Sequence, residues 1–118
     1  MLLAFGVIRR LPGGLPLSDF QLTSGALIVL HDLYWELEKE FDEFCERLVD
    51  SAEDELTLDL TEVGFIFSPY VSRIVRLFAA AKSRGKDLRV VISPRLVELF
   101  EMAGLTEELN IEVRQDGD

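Results

Sequence analysis

Cysteine and histidine are almost absent from this chain. Its 118 residues hold one cysteine, Cys45, and one histidine, His31. A single thiol excludes an internal disulfide, and one Cys with one His makes no set at metal-ligand spacing. No apolar run approaches the roughly 18 residues that a membrane span needs, so direct membrane insertion is not expected. Positive charge is also scarce: 12 Lys and Arg stand against 22 Asp and Glu, a formal net charge of -10. That balance argues against nonspecific binding to nucleic acid or to anionic lipid. The apolar start precedes Arg9 and Arg10 instead of following basic residues, the reverse of a secretory leader, so a cytoplasmic location is the default expectation.

What is present is a hydrophobic content of 48% in a length suited to one domain with its own core. The charges are segregated. Between positions 32 and 55 eleven acidic residues face only Lys39 and Arg47, whereas between 68 and 95 seven basic residues face Asp87 alone. Two solvated helix faces, or a steering surface for a protein partner, would both give this pattern.

Periodicity divides the chain. Residues 1–19 are expected to be a strand or arm broken by Pro12, Gly13 and Gly14, and 20–30 predict a hairpin turning at Ser24-Gly25. Over 33–51, Leu37, Phe41, Phe44, Cys45, Leu48 and Val49 recur at helical spacing opposite Glu36, Glu40, Glu43 and Glu46, with Asp32 as the expected N-cap. Residues 56–60 alternate as a strand, and Phe65-Ile66-Phe67 returns the chain to the core. Ser68-Pro69 then predicts a helix start, because proline's missing amide costs nothing there. Val71, Ile74, Val75, Phe78, Ala79 and Ala81 are the expected buried stripe of that helix, which Gly85 stops. A strand over 88–92, a helix opened by Ser93-Pro94 with Leu96, Val97, Leu99, Phe100 and Met102 inward, and a strand over 111–113 complete a domain spanning 20–114, before a polar tail over 115–118 expected to be disordered.

Strands alternating with helices imply right-handed βαβ crossovers. The expected fold is a single α/β domain whose four- to five-stranded sheet is mixed but mostly parallel, with helices chiefly on one face.

Several candidate sites compete. As an N-cap, Ser68 would accept hydrogen bonds from first-turn amides, worth roughly 1 kcal/mol; as a phosphoacceptor it would place an anion at the positive end of a helix, near Arg73. Tyr70, Ser72, Arg73 and Arg76 fall on the outer side of the helix if Val71 and Ile74 point inward, and an exposed aromatic flanked by arginines suits the centre of a protein interface. His31, Asp32 and Ser68 are the residue types of a hydrolase triad, yet no nucleophile-elbow pattern accompanies them. Cys45 lies on the apolar helix face as a small core side chain. The glycines lack the spacing of a phosphate-binding loop, so no cofactor is expected.

The order of parts from Leu56 onward, LTLDLTEVGFIFSPYVSRIVRLFAAAKSRGKDLRVVISPRLVELFEMAGLTEELNIEV, resembles the STAS domain family. This is the module of bacterial anti-sigma factor antagonists and of the cytoplasmic end of sulfate transporters. The likeness rests on a strand ending in Asp-Leu-Thr, the Phe-Ile run, the serine at a helix start, Ala-Lys-x-Arg-Gly-Lys, the strand ending in Ser-Pro and the helix ending in Met-Ala-Gly-Leu. It covers about half of the chain well and leaves residues 1–19 unaligned. In the antagonist branch the helix start is Asp-Ser-Ser-Gly, with the second serine phosphorylated by a partner kinase that is also the anti-sigma factor. Phe67-Ser68-Pro69-Tyr70 replaces it here, so proline stands at the acceptor position. The resemblance implies a non-enzymatic signalling module of transcription regulation that binds a regulatory protein through Ser68, Pro69, Tyr70, Ser72 and Arg73 at the helix start, with the loop from Val63 to Phe67 and the Ser93-Pro94 loop beside them. Its switch is absent or moved to Ser68 or Ser72. The implied partner is a serine kinase of the anti-sigma type; the alternative is an accessory role beside the ATPase subunit of an ABC-type membrane transport complex. A homodimer is compatible with either.

Overall fold

A computed structural model describes residues 19–114 of the chain. The expected arm over 1–19 and the polar tail over 115–118 therefore lie outside the described residues, apart from Asp19. Five strands form one sheet: β1 (Phe20–Thr23), β2 (Ala26–Val29), β3 (Glu55–Leu60), β4 (Asp87–Ile92) and β5 (Asn110–Val113). They lie side by side in chain order, with β1 antiparallel to β2 and every later neighbour parallel. Three helices fill the crossovers: α1 (Glu38–Val49), α2 (Pro69–Ser83) and α3 (Val97–Met102). Short 3-10 turns at Trp35–Leu37 and Pro94–Leu96 lead into α1 and α3. The fold is the single α/β domain expected, and its sheet takes the five-stranded, mostly parallel form.

Successive right-handed crossovers between adjacent parallel strands place their helices on the same face. The strand patterns obey that arrangement. Leu27 and Val29, Leu56, Leu58 and Leu60, and Leu88, Val90 and Ile92 are buried toward the helices, while Thr57, Asp59 and Arg89 alternate to the other side. The first turn is also as expected. Gly25 adopts φ +78, its carbonyl accepts from the Thr57 amide at 2.8 Å, and a Cβ there would stand 3.1 Å from the Glu55 carbonyl oxygen. Glycine fits because it tolerates both the left-handed backbone and the close approach.

α1 buries Phe41, Leu48 and Val49 as the spacing predicts, with Leu37, Phe44 and Cys45 packed at its margins. It starts later than expected, however. Asp32 is not its N-cap, because residues 31–34 form a separate segment in which Leu33 bridges to Ile66. The stripe of α2 is also rotated from the expected one. Tyr70, Ile74, Leu77 and Ala81 are buried, Val71, Val75 and Phe78 are half-buried, and Ala79 is exposed. Seated against both the sheet and α1, the helix presents its 70, 74, 77 and 81 line to the core. Met102, expected inward, is 80% exposed. It follows Phe100 by two residues, about 200° around the helix, and so faces away from the core.

Candidate protein-binding surface

Three loops gather where β3 and β4 end, the end of a parallel sheet at which ligand sites usually form. Their main chains and side chains tie them together. Leu33 donates its amide to the Phe65 carbonyl at 2.9 Å and accepts from the Phe67 amide at 2.8 Å, so segment 31–34 runs as a short parallel ladder beside 65–67. The Asp32 carboxylate accepts from the amides of Gly64 at 2.7 Å and Phe65 at 3.2 Å. Asp59 closes the end of β3 by accepting from the Thr61 amide and hydroxyl at 2.9 and 2.7 Å. From the third loop, the buried Ser93 hydroxyl donates to the Val63 carbonyl at 3.4 Å. The Arg95 guanidinium lies across Gly64, where an added Cβ would be 3.2 Å from Nη1.

Local alternation determines what this platform shows to solvent. In the paired segments Leu33 and Ile66 point inward, so Tyr34 and Phe65 point outward, at 42% and 46% exposure. Their rings stack at 5.5 Å with 30° between planes, and the His31 ring meets the edge of Tyr34 at 5.8 Å. The outcome is an exposed aromatic strip on loops held by backbone hydrogen bonds. The Tyr34 segment reaches the α2 start through its main-chain oxygen, which accepts from Tyr70, and Phe65 lies three residues before Ser68.

The residues predicted to form the site divide between surface and interior. Ser68 occupies the N-cap position and is exposed, but its φ of -54 and ψ of -32 are already helical and its hydroxyl makes no capping bond. A capping side chain needs the extended backbone of an ordinary N-cap to aim at the first-turn amides. Pro69 is half-buried, and the exposed Ser72 turns its hydroxyl back to the Pro69 carbonyl at 2.9 Å. Tyr70 overturns the expectation of an outward aromatic: it is fully buried, edge-on to Phe41 at 5.4 Å, and its hydroxyl donates to the Tyr34 main-chain oxygen. Burial, followed by the nearby Glu38 carboxylate, pushes its pKa up to about 12. Arg73 is only 20% exposed and pairs with Glu38 at 3.8 Å and Asp42 at 3.6 Å, so it braces α2 against α1. Arg76 is exposed, as the sequence suggests.

The triad residue types do not assemble into a relay. The Asp32 carboxylate is committed to the two amides of the neighbouring loop, and His31 directs Nδ1 to the Asp32 main-chain oxygen at 2.9 Å instead. Cys45 packs against the core, and burial with the adjacent Asp42 raises its thiol pKa to about 12. Among the described residues no group of three or more His, Cys, Asp and Glu side chains could hold a metal ion, and no helix is long and apolar enough to cross a membrane. A cavity of about 480 Å³ lies at the opposite end of the sheet, by Glu55 and Asp87, away from this platform.

Tyr34 is the surface residue that the sequence does not point to, and Phe65 belongs to the expected docking loop but reads in sequence as turning toward the core. Tyr34 falls within the helix that the sequence predicts, and Phe65 within an apolar run. The available signal was the paired alternation of Leu33-Tyr34 and Phe65-Ile66, with one member of each facing in. Compared with known proteins, the chain matches no protein-family model and no curated sequence.

Proposed function

We propose that this chain is a STAS-like protein-binding module, resembling the anti-sigma factor antagonists, that holds a regulatory partner without phosphorylation at the usual serine position. The observation that carries this reading is the stacked, solvent-facing Tyr34 and Phe65 pair on the loops adjoining the exposed Ser68. Aromatic side chains on a preorganised surface give large contact area at low entropic cost, which makes them common anchors of protein interfaces. Pro69, at the position where the antagonists carry their phosphoacceptor, has no hydroxyl, so binding through this surface is not gated by phosphorylation at that position.

Affinity capture from the native cell, with mass spectrometry of what is retained, tests this directly. Tyr34→Ala and Phe65→Ala should each weaken partner binding by about 2 kcal/mol, close to thirtyfold, while the thermal midpoint stays near wild type. Recovery of a serine kinase of the anti-sigma type supports the reading. Retention of the same partner by the double variant at wild-type strength sinks it, and recovery of a transport ATPase subunit instead assigns the surface to an accessory transport role.

A further inference from the structure

A different surface carries a proposal that does not depend on the one above. α1 and α2 run in the same direction on the face of the sheet. Between them lies a groove of about 460 Å³ with an unusual distribution of charge. Asp42, Glu46 and Asp50 recur once per turn along the α1 side. Arg73, Arg76 and Arg84 line the α2 side. The end rungs of this ladder are closed within the chain, Arg73 to Asp42 at 3.6 Å and Arg84 to Asp50. The middle rung is open. Glu46 and Arg76 are both exposed, and among the described residues neither makes an ion pair. Cys45, Val49, Leu77 and Ala80 complete the groove lining.

We propose that this face seats a second copy of the same chain, with Glu46 of each copy against Arg76 of the other. The argument is one of symmetry. A two-fold axis parallel to the helices maps the acidic row of one copy onto the basic row of the other along the whole groove, so every rung is complementary in both directions. A two-fold axis across the helices, lying in the same plane, would set acid on acid and base on base, which electrostatics reject. The pattern therefore selects one dimer geometry, with α1 of each copy against α2 of the other. The formal charge of -10 per chain opposes association at long range. Screening over about 8 Å at physiological salt weakens that repulsion and leaves the contact rungs to decide orientation.

Sedimentation velocity on the full chain across a concentration series, at physiological ionic strength, tests the proposal. Wild type should show a monomer–dimer equilibrium. Glu46→Arg alone and Arg76→Glu alone should each weaken self-association by about tenfold or more, because reversal sets like charges against each other at both equivalent contacts. Mixing the two variants should restore association to within about threefold of wild type, since only the mixed dimer pairs opposite charges. Both side chains are exposed, and circular dichroism melts check that the variants are folded. A wild-type chain that stays monomeric at the highest concentration overturns the proposal whatever the variants do. So does a mixture that associates no better than either variant alone.

Discussion

Ser68 and Tyr70 stand two residues apart at the start of α2, the serine exposed and the tyrosine fully buried. A serine before proline at a helix start looks like a cap, and a tyrosine flanked by arginines looks like a surface anchor. The serine does not cap for one backbone reason: Ser68 is already helical, so α2 effectively begins a residue early and its hydroxyl makes no bond to the first-turn amides. The Val71 amide donates to the Ser68 carbonyl, which fixes that turn without help from the side chain. Ser68→Ala should therefore change unfolding free energy in urea by less than about 0.5 kcal/mol, the range of an uninvolved surface position. A loss near the roughly 1 kcal/mol of a working cap would show that the hydroxyl reaches an amide in solution.

At the scale of elements, the sequence was most legible where one period governed burial. β3 alternates, β4 alternates up to Val90, α1 follows its stripe, and the Ser24-Gly25 turn sits where apolar runs break. Legibility failed where an element answers to two neighbours at once. α2 contacts α1 as well as the sheet, so its buried line shifted toward Tyr70 and Leu77, which a single-face stripe does not predict. Leu33 and Tyr34 read in sequence as the start of the following helix, because their pairing partner, 65–67, lies more than thirty residues away and leaves no local trace. The candidate surface was hidden for the same reason: its α2 start was legible, whereas its aromatic strip exists only through that long-range pairing. Asp32 is the side chain that holds the two segments in register, through charged hydrogen bonds to the Gly64 and Phe65 amides. Each such bond contributes roughly 1.5–3 kcal/mol where water is partly excluded. Asp32→Ala should cost about 2–3 kcal/mol in urea unfolding and speed hydrogen exchange at Gly64 and Phe65 before the strands respond. Unchanged exchange at those amides would mean that the Leu33 ladder alone suffices.

For the whole molecule, the charge segregation seen along the chain resolves into a seam. The acidic and basic segments become α1 and α2, which pack together, and Arg73 and Arg84 pair across the join with Glu38, Asp42 and Asp50. Part of what reads in sequence as two opposed surfaces is, in the fold, a set of ion pairs between neighbouring helices. Beneath that seam lie two groups that couple global stability to pH: Tyr70, with its pKa pushed up to about 12 from an ordinary 10.0, and Cys45, pushed up to about 12 from 9.0, each chiefly by burial. Both groups are neutral when protonated, and both hold their protons more tightly in the folded chain. Their stabilising contribution is therefore fully present below the unfolded pKa values. It is lost as pH rises, starting near 9 for the thiol and near 10 for the phenol, until the folded groups ionise near 12. Urea unfolding followed from pH 8 to 11 should show wild-type stability falling across the upper part of that range. Tyr70→Phe should begin less stable, by about 1–2 kcal/mol, because the Tyr34 carbonyl loses its buried donor, yet it should decline less steeply above pH 10. If the two proteins lose stability in parallel through that window, the Tyr70 hydroxyl is not shielded in the way its packing against Phe41 requires.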